Sequence, residues 1–295
     1  MSLLSRLLKR ISFEHGTTGF SSDYSPKDDD QMDWAIKKAR LTLWYFEEQL
    51  KGPTPGRNYF SIKVMVKDQT QVEHLWLTAP DFDEEGNLYG KVCDEPILVK
   101  NLKAGQTIGV GRSLITDWMI VEDGLLLGGY TIRAVRDELS EIEKQAFDES
   151  IGIVIDAGAD HFLPDFNTPE GAITALELAY QEKDLEKALA CMDFEGKARR
   201  LLMHLNVGKI DEAAMEETSE ILKAAFIEQL EEEGMPDISG LRRAFSRSQK
   251  ISEVAWLITE SITFPHGGVT EQIILTAKTS DGWKVGGLYK EDTTF

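Results

Sequence analysis

The sequence predicts an α+β protein of two domains, an antiparallel-sheet α+β domain followed by a domain of helices and then a curved sheet. Three observations predict it. The chain has 295 residues, and at about 150 residues per domain that length suits two domains. Residues 32 to 149 read as a helix, a run of strands and a helix, and residues 167 to 289 as helices first and strands last. Such runs, rather than strict alternation of strand and helix, mark α+β architecture. A composition 42% hydrophobic with 24 Gly and 9 Pro is ordinary globular chemistry, which excludes a collagen repeat or a wholly disordered chain. The division predicted is an amphipathic helix and tether over 1–27, a first domain over 28–150, a linker over 151–166 and a second domain over 167–295.

At the start, Leu3, Leu4, Leu7, Leu8 and Ile11 fall on one helical face and Arg6, Lys9 and Arg10 on the other. Basic amphipathic helices of this kind pack on their own protein or lie on a membrane surface, so residues 1–13 are a candidate membrane contact. Residues 14 to 27 are rich in Gly, Ser and Thr and read as a tether. Asp28, Asp29 and Asp30 suit a helix N-terminus. Trp34, Ala35, Ala39, Leu43 and Phe46 continue that helix to about Leu50, and Gly52, Pro53, Pro55 and Gly56 end it.

Phe60, Ile62, Val64 and Val66 alternate with Ser61, Lys63 and Met65 in a half-buried strand. On the next strand Val72, His74 and Trp76 share one face, with Glu73, Leu75 and Leu77 on the other. Further strands are expected near Leu88–Val92, Thr107–Val110, Ile115–Val121 and Leu125–Val135, the last two joined by the hairpin signal Glu122-Asp123-Gly124. A helix from about Asp137 to Glu149 closes the domain.

Asn167 or Thr168 starts the second domain's first helix, with Pro169 tolerated in its first turn. Ala172, Leu176, Ala179 and Tyr180 mark its buried face. Asp184 starts a second helix, Ala198 to Leu205 form a third, and Asp211 to Glu233 form the longest, with Met215, Leu222, Ala225, Phe226 and Leu230 at core spacing. Strands are expected over Ile251–Phe264, Thr270–Thr279 and Trp283–Tyr289, the last two joined at Ser280-Asp281-Gly282.

Charge and motifs narrow the function. The net charge is −19, divided almost evenly between the halves. Such a surface repels nucleic-acid phosphates, so no nucleic-acid partner is expected, while a basic protein would be attracted. Cys93 and Cys191 are too few for a secreted disulfide framework, which makes a reducing cytoplasm the expected location. No P-loop, GxSxG elbow, HExxH or CxxC pair is present. His15, His74, His161, His204 and His266 lie far apart in sequence and supply no metal-ligand spacing. Neither catalytic residues, a cofactor nor a metal is therefore expected, and the reading leans away from an enzyme.

Met32-Asp33-Trp34-Ala35 with Lys38-Ala39-Arg40, then Glu73-His74-Leu75-Trp76-Leu77, Asp117-Trp118-Met119 and Gly128-Gly129-Tyr130-Thr131-Ile132-Arg133 stand in one order. Over about residues 28–139 the chain resembles the YegJ-like bacterial domain of unknown function. That resemblance implies no settled activity, and it implies that immunity proteins, which neutralise toxins used between bacteria, are among the relatives. The opening of the second domain, TPEGAITALELAYQEKDLEKALACMD, resembles nuclear-transport-factor-two-like domains over about 167–290. That likeness implies helices wrapped around a curved sheet, a cone that binds a small molecule, hosts an active site or serves only as a core. In enzymes of that kind an Asp–His pair lines the cone, and Asp193 and His204 are the nearest counterparts.

The polar members of the first set are Glu73, His74, Asp117 and Arg133, set among Trp76, Trp118 and Tyr130. Acid–base work by His74, a structural hydrogen bond from it, a buried Arg133–Asp117 ion pair and contact with a partner or ligand all remain open. Gly128-Gly129 is read as a bulge or a close backbone approach. Glu212, Glu216 and Glu220 recur every four residues on the long helix, as a solvated face or a docking strip for a basic partner. Arg242, Arg243, Arg247 and Lys250 form a basic cluster that pairs with that strip or binds an anion. The leading expectation is a non-enzymatic acidic module binding a protein partner, a basic toxin in the immunity reading. The alternative is a small-ligand-binding protein or enzyme using the C-terminal cone.

Overall fold

A computed structural model describes residues 26–68, 71–205 and 210–289. The expected N-terminal helix over 1–13, His15 and the tether as far as residue 25 lie outside the described residues. The protein is α+β, and its chain divides into two units, one up to Ala159 and one from Asp160. Among the described residues no helix is long and apolar enough to cross a membrane.

The first unit opens with α1 (Pro26–Leu41) and α2 (Leu43–Lys51). The sequence reads as one helix here, but Thr42 breaks it: its hydroxyl bonds Lys38 O at 2.7 Å, and the Trp118 indole N–H donates to Ala39 O and to Thr42 Oγ1, both at 3.1 Å. Strands β1 (Arg57–Asp68), β2 (Gln71–Phe82), β3 (Leu88–Val92), β4 (Thr107–Val110), β5 (Ile115–Glu122) and β6 (Leu125–Gly128) form one antiparallel sheet in the order β4-β3-β2-β1-β5-β6.

The sheet is covered on both faces, not half-buried. Ile62, Val64, Leu75, Leu77, Trp118 and Ile120 pack with Ala35, Ala39, Leu43 and Phe46 of α1 and α2. The alternate positions Trp76, Met119 and Val121 pack with Ile132, Phe147 and Ile151 and with Ile153 and Ile155. Strand period two thus divides β5 between two cores. Val154 bridges Leu125, so residues 151–155 of the expected linker serve the first unit.

The expected strand over Leu125–Val135 ends at Gly128, and α3 (Tyr130–Asp137) follows, with α4 at Glu141–Ile151. Gly128 and Gly129 make the turn at φ 67° and 62°. A Cβ on Gly128 would sit 2.5 Å from the Trp118 ring and carbonyl. Close approach is therefore the right part of the Gly-Gly reading, and the bulge is replaced by a strand-to-helix corner. Gly128→Ala combines a left-handed backbone with overpacking and is expected to cost about 2–3 kcal/mol, read as a lower urea midpoint at unchanged m.

The second unit contains α5 (Pro169–Glu182), α6 (Leu185–Cys191), α7 (Phe194–His204) and α8 (Glu212–Glu233). Each is started by a side-chain cap: Thr168 accepts from Gly171 N, Asp184 from Lys187 N, Asp193 from Gly196 N and Asp211 from Ala214 N. A second antiparallel sheet follows in the order β10-β9-β8-β7, from β7 (Arg242–Ser252), β8 (Ala255–Thr263), β9 (Val269–Thr279) and β10 (Gly282–Leu288). One long strand was expected where β7 and β8 form a hairpin. Register shifts at Phe245/Arg247 and Lys250/Ser252 break the alternation of β7, so its sequence reads as a basic cluster instead.

Helix α5 lies on β8, β9 and β10, α7 on β10, and α8 on α7. Ile173 of α5 and Ile258, Ile274 and Thr276 of the sheet are buried. No residue of α8 is fully buried. The expected core positions Met215, Leu222, Phe226 and Leu230 are half-exposed and Ala225 is exposed; α8 packs chiefly on α7, where Phe226 lies edge-on to Phe194 at 5.8 Å.

Candidate functional site

The candidate residues of the first unit converge on its interior. Lys63, at the centre of β1, stands opposite Trp76 on β2 and opposite Asp117 on β5. Lys63 is 2% exposed and Asp117 is wholly buried. The lysine donates to Thr131 Oγ1 at 3.3 Å and sits 5.8 Å from the Trp76 ring. Asp117 Oδ1 accepts the Trp118 and Tyr130 amides at 2.8 and 3.1 Å, and Oδ2 accepts the Thr131 amide and hydroxyl at 2.8 and 2.6 Å. Gly129, the residue before α3, has no side chain to cap that helix, so Asp117 caps it from across the sheet.

Burial pushes the Lys63 ammonium down to about 8, with Asp117 opposing. Burial likewise raises the Asp117 carboxyl, against the hydrogen bonds from Thr131 and the charge of Lys63. Trp118 packs edge-on to Tyr130 at 5.7 Å, and the Lys38 ammonium lies 4.9 Å from the Tyr130 ring.

The Arg133–Asp117 ion pair open in the sequence does not form. Arg133 Nε donates to Gly128 O at 2.9 Å, Nη2 to Leu126 O at 2.7 Å and Nη1 to Asp156 O. It ties the β6 corner to residues 156–158, and the cation nearest Asp117 is Lys63. Glu73 and His74 point to opposite faces, as a regular strand requires. Glu73 is buried and accepts three loop amides: Ile97 N on Oε1 at 2.8 Å, and Leu98 N and Val99 N on Oε2 at 2.9 Å. His74 Nδ1 lies 3.1 Å from Thr116 Oγ1 of β5, a bond that reaches across β1.

Glu73, Trp76, Asp117, Trp118 and Tyr130 are interior and present no surface to a protein partner. Cys93 and Cys191 are free thiols pushed up by burial, to about 12 and about 11. Neither supplies a thiolate near neutral pH.

The acidic strip expected on the long helix of the second unit is at the surface. The exposed Glu212, Glu216 and Glu220 line a cleft of about 710 Å³ between α7 and α8, with Glu195, Asp211, Arg199 and Ser219 around it and Met203, Ile210 and Met215 as its apolar surface. An adjoining cleft of about 390 Å³ shares Glu195, Ser219 and Glu220 and continues past Asp193, Lys223, Asp281 and Lys284. The two form one strip along α8. Acid outnumbers base around the larger cleft, where Arg199 is the single cation among the described lining residues.

Asp193 and His204 form no pair. Asp193 caps α7 and lies 3.8 Å from Arg200, and the exposed His204 closes the opposite end of the same helix. His266 is exposed in the β8–β9 turn. Of the basic cluster, Arg243 does not reach the α8 acids. It forms an ion pair with Glu177 of α5 and lies 4.0 Å from Glu260 of β8, while Lys250 pairs with Glu253 at the β7–β8 turn.

The sequence pattern does not mark Lys63, Glu170 and Glu260 as interior, nor Glu177 as half-buried. Lys63 reads as the solvent side of a half-buried strand, and Glu177 as the polar side of a helix. The available signal was position. Glu177 stands one residue from Leu176 and three from Tyr180, inside the apolar stripe of its own helix.

Residues 29–155 match the family described as uncharacterized proteins conserved in bacteria (DUF2314). A protein of Neisseria meningitidis serogroup B named as an ankyrin repeat protein is 27% identical over 176 residues, 57% of this chain and 65% of that protein. The uncharacterized protein YegJ of Escherichia coli is 29% identical over 135 residues, 44% of this chain and 86% of that protein. The chain thus spans under two thirds of the first relative's length. No solved structure matches it.

Proposed function

We propose that the chain, whose residues 29–155 match the uncharacterised bacterial DUF2314 family and resemble YegJ, is a non-enzymatic protein-binding module that engages a basic partner through the α7–α8 cleft. The observation that carries this reading is the cleft's chemistry. Five carboxylates, from Glu195, Asp211, Glu212, Glu216 and Glu220, surround an apolar surface made by Met203, Ile210 and Met215, with one cation, Arg199. Like charges four residues apart cost a helix a few tenths of a kcal/mol per pair, so the strip is not there for helix stability.

Long-range attraction from a chain of net charge −19 steers a basic partner inward, and methionine, which adapts its shape, supplies the short-range contact. The polar residues of the first unit support a binding role over catalysis, because each is already engaged in holding its own fold. The name of the Neisseria relative points the same way, since stacked repeats build extended binding surfaces. In the immunity version of this reading the partner is a basic toxin whose active surface is covered, and the complex forms in the cytoplasm.

The test is capture from native cytosol at low salt by the full chain and by the triple variant Glu212→Lys, Glu216→Lys, Glu220→Lys. A basic protein should be retained by the wild type, be released as salt shortens the Debye length below about 8 Å, and be lost at least tenfold in the variant at unchanged thermal stability. Recovery of no protein at low salt, or equal recovery by the variant, would overturn the proposal.

A further inference from the structure

The contact between α5 and its sheet encloses charges that the proposed partner cleft does not use. Glu177 (α5) faces β8, where Glu260 is 1% exposed. Two carboxyl groups and one guanidinium, that of Arg243 on β7, meet there. From β9, Gln272 Nε2 donates to Glu260 Oε2 at 2.6 Å. The two carboxyls approach the same guanidinium, and Glu260 Oε1, on that side, is buried without a hydrogen-bond donor among the described residues. With both ionised, the cluster would carry a net negative charge in a place where charge is expensive to hold. With one proton between them it is neutral, and Glu177 becomes the donor that links α5 to β8.

Two neighbouring titratable groups, Tyr180 and Cys191, are held in their neutral forms near neutral pH by burial. Tyr180, one turn along α5, is raised to about 12 by burial, with Cys191 of α6 and Glu177 adding to it. Cys191 is itself raised to about 11, with Lys284 of β10 as its only opposing charge. Lys284 lies over the Phe166 ring and donates to Ala190 O, away from the carboxyl pair. Glu170, two turns before Glu177, is a buried carboxyl near the start of α5.

We propose that the α5–sheet interface is a proton-binding site, in which Glu177 and Glu260 hold one proton between them beside Arg243 and release of that proton with rising pH loosens α5 from β8. The pair resembles other close carboxyl pairs that cannot both ionise. Its direction is fixed by linkage. An unfolded glutamate titrates near 4.5, whereas burial beside Glu260 carries Glu177 up to about 9 despite Arg243. Between those limits the folded unit holds a proton that the unfolded chain has released. The contribution is complete below the lower limit and is lost as pH rises through the upper one, by at most tenfold in the folding equilibrium per pH unit.

The experiment is hydrogen exchange with mass-spectrometric readout on the full chain from about pH 5 to about pH 9, corrected for intrinsic exchange. Amides of α5 and β8 should lose protection at least tenfold across the range, and Glu177→Gln, which keeps a donor toward Glu260, should flatten the dependence and protect α5 at the alkaline end. Flat wild-type protection, or the same slope in Glu177→Gln and Glu260→Gln alike, would overturn the proposal. Should both variants fail to fold, carbon-13 carboxyl titration of the wild type decides: one glutamate titrating far above the ordinary range supports the site, and all glutamates in the ordinary range remove it.

Discussion

Asp117→Ala is expected to destabilise the first unit by about 3–5 kcal/mol, the cost of leaving a buried charge without its partner. Two losses coincide. Lys63, 2% exposed, loses the charge that offsets its burial and is left with only Thr131 Oγ1 as acceptor, so it must either hold an uncompensated ammonium or shed the proton. The Tyr130 and Thr131 amides at the start of α3 lose the carboxylate that caps them. Urea unfolding of the full chain, with hydrogen exchange locating the loss in α3 and β5, checks the result.

The pH dependence separates the two losses. Burial holds Lys63 near 8 when folded, against 10.5 for an unburied lysine. Folding therefore gains stability as pH rises through that window, because the unfolded chain still carries the proton the folded one has lost. Once Lys63 is neutral it no longer needs a counter-charge. The deficit of Asp117→Ala should be smaller at about pH 9 than at neutrality, and what remains is the lost helix cap. A deficit that stays constant over that range would mean that the cap alone carries the effect. A double-mutant cycle with Lys63→Met measures the coupling between the two groups directly.

What the sequence disclosed and what it withheld follow from the range of the forces involved. The β1 and β2 alternation, the helix starts at Thr168, Asp184 and Asp211, and the hairpins at Asp123-Gly124 and Asp281-Gly282 are local, and each was legible. The helix after Gly129 was not, because Thr131, Ile132 and Val135 are β-branched and favour strand by propensity. Asp117, on a strand thirteen residues earlier, overrides that propensity by capping the helix. No window of local pattern contains both ends of such a bond.

The candidate site divides the same way. Glu212, Glu216 and Glu220 were legible, since four-residue spacing places them together on any helix. Lys63, Glu177 and Glu260 look like surface charge one at a time, and only strand register and the seating of α5 bury Lys63 and Glu260 and half-bury Glu177. The residues shared with the YegJ-like pattern stood out in the sequence for a reason other than partner contact. Asp117, Trp118, Tyr130 and Arg133 meet around a single strand-to-helix corner.

Glu73→Ala is the companion case, with an expected loss of about 3–5 kcal/mol. Hydrogen bonds to a charged group are worth about 1.5–3 kcal/mol each, and bonds sharing one carboxylate do not add fully. Three successive amides, of Ile97, Leu98 and Val99, end on this side chain, and Val99 itself is buried. Without the carboxylate those amides have no acceptor unless the loop opens, and opening it exposes Val99. Glu73→Gln keeps the shape but turns an N–H donor toward one of the amides, so it should recover less than half of the loss. Hydrogen exchange at 97–99 reads the loop directly, and unchanged protection there in Glu73→Ala would show that other contacts hold it. The same substitution also bears on function. If the interior residues serve only the fold, Glu73→Ala and Asp117→Ala should weaken partner capture no more than their unfolded fraction accounts for. Charge reversal along α8 should abolish capture in a fully folded chain, and that difference separates a binding surface from the framework that carries it.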